Sequence, residues 1–91
     1  MNFFFKPSFI RIFKKLDNFK QKQIIDAIEA LKIVLEQRHS LEGLGFKRLK
    51  EDFWEIRASL KDRIVFSFKK DTVTFVLAGS HDDVKKYLRN L

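Results

Sequence analysis

Four polar residues have the types and the spacing to bind and act on an anionic group: Glu55, Arg57, Arg63 and His81. Side chains alternate between the two faces of a β-strand, so Glu55 and Arg57 of one predicted strand share a face. Antiparallel pairing with the next predicted strand puts Arg57 opposite either Arg63 or Val65, and both registers gather the carboxylate and the two arginines in one polar patch. The two guanidinium groups could bind a phosphate there, or Glu55 could simply offset their charge on a solvated face.

His81 could supply proton transfer beside this patch. It follows Gly79 and Ser80 at the end of the last predicted strand, which predicts a position at a corner of the sheet and at the edge of the same face. An imidazole has an unperturbed pKa of about 6.5, so at neutral pH it can exchange a proton with a ribose or phosphate oxygen. A surface histidine without a chemical role is the alternative interpretation.

Positive charge surrounds these four residues. The chain has 19 Lys and Arg residues against 12 Asp and Glu, which gives a net charge of +7 at pH 7. Such an excess attracts polyanions, which include nucleic acid, acidic proteins and anionic lipid. Five basic residues on the neighbouring predicted strand or the last helix are the candidate nucleic-acid contacts: Lys47, Arg48, Lys50, Lys85 and Lys86. Phe53 is the aromatic residue best placed to stack on a base.

Length and composition predict a single domain of residues 1–91. The chain is 45% hydrophobic and contains eleven Phe, enough to bury one core, so it is not predicted to be disordered. It has no Cys, and His39 and His81 are isolated, which excludes disulfides and thiolate metal sites and predicts no metal or other cofactor. No apolar run approaches the roughly 20 residues that span a bilayer, and residues 1–7 lack signal-peptide features. We expect a cytoplasmic protein without a membrane partner.

The hydrophobic pattern predicts an α+β fold with a helical half and a sheet half, separated by a break at Gly43 and Gly45. Apolar residues recur at helical spacing before this break, and short β-branched and aromatic segments follow it. The predicted elements are an N-terminal strand over 3–5, a helical hairpin over 8–16 and 18–37, a four-stranded antiparallel meander over 46–49, 53–58, 63–68 and 72–78, and a short C-terminal helix over 82–90.

The second predicted helix carries two finer expectations. Asn18, with Gln21 three residues later, is predicted to cap its start. The spacing of its apolar residues predicts one buried stripe. The expected members of this stripe are Ile24, Ile25, Ile28, Leu31 and Leu35.

Alternation along the strands divides the predicted sheet into an apolar face and a polar face. On the last strand, Val73, Phe75 and Leu77 are expected on the apolar face. Trp54 is expected to anchor the core on that same face. The opposite face is expected to be polar and to carry the patch of Glu55, Arg57 and Arg63.

Three short sequences carry a resemblance to a known family. LKEDFWEIR at positions 49–57 is followed by RIVF at 63–66, and a Gly-x-His sequence at 79–81 ends the last predicted strand. Together with the order of strand, helical hairpin and meander, they resemble the RelE/ParE superfamily of bacterial toxins. The resemblance covers nearly the whole chain and is strongest to the RelE and HigB branches.

The resemblance implies a RelE-like, microbial-ribonuclease-like fold and the toxin of a type II toxin-antitoxin system. In the RelE branch such a toxin enters the A site of the ribosome, cuts mRNA without a metal through the 2′-hydroxyl, and so inhibits translation. An acidic antitoxin, usually encoded beside the toxin, covers its basic face. The alternatives are a ParE-like toxin, which poisons DNA gyrase, and a non-catalytic protein that binds an antitoxin.

The resemblance also implies roles for the four polar residues. Arg63 matches an arginine that stabilises the phosphorane transition state, and Arg57 matches a second basic residue of the central strand. Glu55 matches a position that is acidic or basic in the family and is the candidate general base. His81 matches a catalytic arginine or histidine.

The last helix departs from the ribonuclease pattern. Many ribonuclease members have Tyr directly after the Val of this segment, whereas here Lys85 follows Val84 and Tyr87 comes two positions later. Two residues turn a helix by about 200°, so Tyr87 is expected on a different side of the helix.

Overall fold

The computed structural model describes residues 1–37 and 45–91; His39 and Gly43 lie outside the described residues. The described elements are β1 (Asn2–Phe5), α1 (Pro7–Lys14), α2 (Asn18–Gln37), β2 (Lys47–Lys50), β3 (Phe53–Arg57), β4 (Asp62–Lys69), β5 (Thr72–Ser80) and α3 (His81–Arg89). Each predicted element is present within about two residues of its predicted bounds, so the predicted α+β fold class is confirmed. None of these helices is long and apolar enough to cross a membrane.

The described strands form one sheet in the order β1-β5-β4-β3-β2. Strands β2 to β5 pair antiparallel with their neighbours in the sequence, which confirms the predicted meander. Strand β1 lies at the opposite edge from β2 and pairs parallel with β5. Parallel neighbours cannot be joined by a tight hairpin, and here the connection runs through both helices and the rest of the sheet.

The cap of α2 differs from the prediction. Asp17, rather than Asn18, caps the helix, because Asp17 Oδ1 accepts a hydrogen bond from the amide of Lys20 at 2.8 Å. Gln21 does not complete a capping box with Asn18. Its Nε2 instead donates to the carbonyl oxygen of Phe13 at 3.0 Å, which ties the end of α1 to the start of α2.

The helical hairpin packs on one face of the sheet and forms the main core. The buried side chains of this main core include Phe9, Ile24, Ile28, Leu31, Ile56, Ile64, Phe66, Val73 and Phe75. Trp54 packs against them as expected. The expectation for Ile25 is wrong, because Ile25 is 44% exposed and Ala27 is buried instead. Ile25 lies about 100° around the helix from Ile24, and a helix that packs on a single sheet buries only one stripe.

A β-bulge in β5 changes which residues face the main core. The pairing of β4 with β5 shifts between Val65 and Phe66, which leaves Val76 as an extra residue on β5. Beyond the bulge, Leu77 packs on the opposite face of the sheet, and Ala78 joins the main core. The prediction that Leu77 lies on the main-core face is therefore wrong.

The opposite face of the sheet is only partly polar, because α3 covers one part of it with a second apolar cluster. This α3 cluster consists of Val65, Val76 and Val84, with the partly buried Leu49, Phe53, Leu77, Tyr87 and Leu88 packed against them. The expectation of a polar face holds only for the remaining part, where the end of β3 pairs with the start of β4.

Candidate functional site

The pairing of β3 with β4 assembles the polar patch. Arg57 lies opposite Arg63, which is one of the two registers that the sequence left open. Glu55, two residues before Arg57, shares this face, and Lys47 of β2 lies opposite Glu55. The prediction that Glu55, Arg57 and Arg63 lie in one patch is confirmed.

Glu55 and Arg63 form an enclosed ion pair within the patch. Glu55 Oε2 lies 3.3 Å from Arg63 Nε, and the two side chains are only 10% and 14% exposed. This contact is an ion pair without a hydrogen bond. Within residues 1–37 and 45–91, the buried Arg63 Nε has no hydrogen-bond partner. Arg63 Nη1 donates to the carbonyl oxygens of Leu60 at 3.3 Å and Ser59 at 3.5 Å, in the turn between β3 and β4. The guanidinium group is thus held from two sides inside the protein.

Arg57 has different surroundings. It is exposed, and no carboxylate among the described residues lies within 4.0 Å of its guanidinium nitrogens. Gly45 packs against its aliphatic stem, because a Cβ atom at Gly45 would come within 2.6 Å of Arg57 Cγ. Gly45 also has a φ of +65°, a conformation that glycine adopts without steric cost. The backbone at Gly45 therefore supports the stem of Arg57 and leaves the residue accessible.

His81 is the first residue of α3 and is exposed. It lies just beyond the polar patch along the chain, because Gly79, two residues earlier, pairs with Arg63. The predicted position after the last strand is therefore confirmed. Within the described part of the chain, His81 belongs to no group of three His, Cys, Asp or Glu residues that could hold a metal ion.

A capping box at Ser80 fixes the start of α3 and hence the position of His81. Ser80 Oγ accepts a hydrogen bond from the Asp83 amide at 3.2 Å, and Asp83 Oδ2 accepts one from the Ser80 amide at 2.9 Å. The hydrogen bonds from Ser80 lower the pKa of Asp83 below its usual value of 3.8. Gly79 leaves room for this carboxylate, because a Cβ atom there would come within 2.7 Å of Asp83 Oδ2.

The structure brings some of the five candidate basic residues together and separates others. Lys47 is exposed on the face of the polar patch, opposite Glu55. Arg48 lies opposite Trp54, with its Cζ 5.9 Å from the centre of that ring and its Nε donating to the Glu51 carbonyl at 3.0 Å. Arg48 is therefore on the main-core side of the sheet, away from the patch. Lys50 lies opposite Phe53, and Lys85 and Lys86 are exposed on α3.

Phe53 and Tyr87 pack on each other inside the α3 cluster. Their ring centres are 6.0 Å apart with an angle of 77° between the planes, an edge-to-face contact. Burial raises the pKa of the Tyr87 phenol above its usual value of 10.0. Phe53 is half-buried by this contact, so less of its ring is available to stack on a base than the sequence suggested. Tyr87 likewise serves to hold α3 on the sheet.

Sequence reasoning missed an apolar groove between the helical hairpin and β1. The groove has a volume of about 380 Å³ and is lined mainly by Phe5, Phe9, Ile10, Phe13, Ile25 and Ile28. Ile10 and Ile25 are 41% and 44% exposed. The available signal was the number of large apolar residues on α1 and α2, which is greater than one stripe on each helix can bury.

Comparison with known proteins identifies this fold. No protein-family model matches the chain, and no curated protein matches its sequence. A chain of the RelB-RelE antitoxin-toxin complex from Methanococcus jannaschii superposes with a TM-score of 0.69 at 20% identity, over 92% of this chain and 96% of that one. The YoeB/ParE toxin from Agrobacterium tumefaciens gives a TM-score of 0.68 at 20% identity, over 89% and 99%.

A chain of the YoeB-YefM complex from Staphylococcus aureus is also similar, with a TM-score of 0.63 at 22% identity, over 89% of this chain and 97% of that one. The three similarities extend over nearly the full length of both chains in each pair. This chain therefore has the fold of the RelE/ParE toxins, as its sequence predicted.

Proposed function

We propose that this chain, which has the fold of the RelE/ParE toxins, is the toxin of a toxin-antitoxin pair and inhibits translation by cutting mRNA. The observation that carries the proposal is the exposure of Arg57 on the polar patch and of His81, two residues after the partner of Arg63, in a chain with that fold. Under the proposal the chain acts in the cytoplasm, as one domain of residues 1–91, on mRNA at the ribosome.

Binding of RNA is the first step of this function. The net charge of +7 attracts the phosphate backbone, and each phosphate that the protein neutralises releases bound counterions. The exposed Arg57 and Lys47 on the sheet, with Lys85 and Lys86 on α3, are the proposed contacts. Lys50 is a further proposed contact, and Arg48, on the other side of the sheet, remains a prediction from the sequence.

The proposed reaction is an internal transfer of the phosphate. The ribose 2′-oxygen attacks the adjacent phosphorus, a P–O2′ bond forms and the P–O5′ bond breaks, which yields a 2′,3′-cyclic phosphate and a free 5′-hydroxyl. Guanidinium groups offset the charge that grows on the phosphate oxygens, and protonated His81 gives its proton to the departing 5′-oxygen. General acid catalysis of this kind contributes about 10² to 10⁴ in rate. The proposal needs no metal or other cofactor.

A general base must accept the proton of the ribose 2′-hydroxyl, and Glu55 is the candidate from the sequence. Its side chain is 10% exposed and paired with Arg63, so a substrate would reach it only after that pair had opened. A role of Glu55 as the base therefore stays a prediction.

An acidic antitoxin is the proposed protein partner. Two of the similar structures are antitoxin-toxin complexes, RelB-RelE and YoeB-YefM, and a basic chain suits an acidic partner. We propose that this partner wraps around the chain, with a helix on the helical hairpin and another segment over the polar patch on the opposite face of the sheet. The apolar groove between the hairpin and β1 supports a helix at that place. Covering exposed apolar side chains such as Ile10 and Ile25 removes apolar surface from water, which favours binding.

Inhibition of DNA gyrase, as by a ParE-like toxin, is the second candidate function. It is favoured by the last helix, where Lys85 takes the place of the tyrosine common in the ribonuclease members. Tyr87, the nearest tyrosine, is packed edge-to-face on Phe53 and does not offer a replacement. In this function the basic patch only docks the protein on its target.

The test is a cell-free translation reaction with a defined mRNA, in which primer extension maps the new 5′ ends. We expect the protein to stop translation and cut the mRNA, and His81→Gln to slow cutting by about 10² to 10⁴ with RNA binding unchanged. The control is Asp82→Asn, which changes the next exposed residue of α3 and should cut as the parent does. Intact mRNA together with loss of gyrase supercoiling activity would favour the second function, and cutting that His81→Gln does not slow would remove His81 from the reaction.

A further inference from the structure

The two arginines of the polar patch lie opposite each other, yet among residues 1–37 and 45–91 only Arg63 lies beside a carboxylate. The Arg63 side chain is 14% exposed. Its Nε lies 3.3 Å from Glu55 Oε2, and its Nη1 donates a hydrogen bond to the Leu60 carbonyl oxygen at 3.3 Å. Arg57 is exposed and has no carboxylate within 4.0 Å among the described residues. Like charges directly opposite on a sheet repel, and Glu55 relieves this repulsion by neutralising one of the two.

We infer that Arg57 is the arginine that contacts the phosphates of a bound nucleic acid, and that Arg63 is a positioning residue balanced by Glu55. This inference rests on the proposed function, since it assigns roles within the proposed nucleic-acid-binding face. The assignment differs from the sequence resemblance, which implies that Arg63 acts directly on the phosphate.

Electrostatics favours this assignment. A positive charge 3.3 Å from a carboxylate acts on a distant phosphate mainly as part of a dipole, whose field falls off faster than that of a single charge. For Arg63 to reach a phosphate, it would have to leave Glu55 unpaired inside the protein, which is costly. Arg57 can bind a phosphate without breaking any ion pair within the described residues.

Arg63 has a clear positioning role through the backbone. Its guanidinium group joins Glu55 of β3 to the carbonyl oxygens of Ser59 and Leu60 in the β3-β4 turn. Arg57 is the last residue of β3 and directly precedes this turn. By fixing the turn, Arg63 also fixes the backbone position of Arg57. Gly45 packs against the aliphatic part of the Arg57 side chain.

The first experiment measures binding of a single-stranded oligodeoxyribonucleotide across a range of salt concentrations. This probe lacks the 2′-hydroxyl, so the proposed reaction cannot cut it. Arg57→Gln is expected to weaken binding and to reduce the slope of log K against log salt by about 0.7, the value for one lost phosphate contact. Arg63→Gln is expected to keep the parental slope but to lower the melting temperature. Arg11→Gln, at an exposed arginine of α1, is the matched control and should change neither quantity.

The second experiment separates positioning from contact by removing the balancing charge. Glu55→Gln keeps the size of the side chain but leaves Arg63 unbalanced, so the slope should become steeper by up to about 0.7 while the melting temperature falls. The double variant Glu55→Gln with Arg63→Gln should return to the parental slope and recover part of the lost melting temperature. A purely structural role of the pair would move the melting temperature and leave the slope of all variants unchanged.

Three results would overturn the inference. The first is an Arg63→Gln variant with the parental melting temperature and a slope reduced as far as in Arg57→Gln. The second is a parent that binds the oligonucleotide no more tightly than Arg57→Gln, and the third is a Glu55→Gln variant with the parental slope. If Arg63→Gln does not fold, the double variant decides between contact and positioning. If these binding results hold but the parent cuts no mRNA, the proposed function fails while the assignment of the two arginines stands.

Discussion

The two faces of the sheet are covered to different extents. The hairpin of α1 and α2 covers one face, where Phe66 and Phe75 are completely buried. The nine-residue α3 covers only part of the other face and leaves its remainder to the polar patch. A small domain of this kind can thus obtain most of its stability from one face of the sheet. The charged groups on the other face are then positioned by strand pairing and local contacts rather than by the core.

The same contrast recurs within the polar patch on a smaller scale. Glu55 and Arg63 are enclosed and hold each other, whereas Arg57, directly opposite Arg63, is exposed. Alternation along the strands puts all three residues on one face, so what separates them is their neighbours. Under the assignment proposed above, the enclosed pair contributes to stability and the exposed Arg57 contributes to binding.

The largest expected effect tests the two faces directly with one residue type. Phe66→Ala should lower the free energy of unfolding by about 3–5 kcal/mol, because it leaves a cavity in the main core. Phe53→Ala, in the half-buried α3 cluster, should lower it by about 1–2 kcal/mol, because less apolar surface is lost. Urea denaturation followed by the fluorescence of Trp54 measures both variants. Equal losses would mean that the α3 cluster stabilises the fold as much as the main core does.

The next effect compares two ion pairs of similar length in different surroundings. Glu55→Ala should lower the free energy of unfolding by about 2–4 kcal/mol, because it leaves the charge of Arg63 enclosed without its partner. Asp26→Ala breaks the exposed pair with Lys22, whose N–O distance is 3.2 Å, and should cost no more than about 0.5 kcal/mol. Urea denaturation at low and high salt measures both. A Glu55→Ala variant as stable as Asp26→Ala would show that the pair with Arg63 opens freely in solution.

The sequence predicted the order of the elements because each element has a clear hydrophobic period. The apolar spacing of α2 and the alternation in β3 and β4 are strong local signals, and they predicted which face carries Glu55, Arg57 and Arg63. Matching those faces across one hairpin limits the residue opposite Arg57 to Arg63 or Val65, and the structure has Arg63 there. The fold and the membership of the patch were therefore within reach of the sequence.

The depth of each side chain and the irregular points of the sheet were not predicted, for physical reasons. Alternation gives the face of Arg63 but not its contact with the carbonyl of Leu60, which depends on the path of the turn. The bulge at Val76 has no mark in the sequence, and one extra residue moves Leu77 to the other face. The sequence puts Lys47, Arg48 and Lys50 together among the candidate nucleic-acid contacts, whereas pairing with β3 places Arg48 over Trp54.

The smallest expected effect concerns the start of α3, where a hydrogen-bonded carboxylate rather than packing positions His81. Because hydrogen bonds from Ser80 lower the pKa of Asp83 in the folded protein, the unfolded chain takes up the proton first as the pH falls. The stability that Asp83 contributes is therefore complete above its unfolded pKa of about 3.8 and is lost as the pH falls through its lower folded pKa. Asp83→Asn should lower the free energy of unfolding by about 0.5–1 kcal/mol at pH 7, and less at pH 3.

Urea denaturation of the parent and of Asp83→Asn between pH 3 and pH 7 measures this difference. Asp82→Asn is the matched control, since Asp82 is the adjacent exposed carboxylate and takes no part in the capping box. A difference between parent and Asp83→Asn that stays constant over this pH range would contradict the role of the charged cap. The start of α3 would then be held mainly by the packing of Val84 in the α3 cluster, and His81 would be positioned by apolar contacts, as the side chains of the main core are.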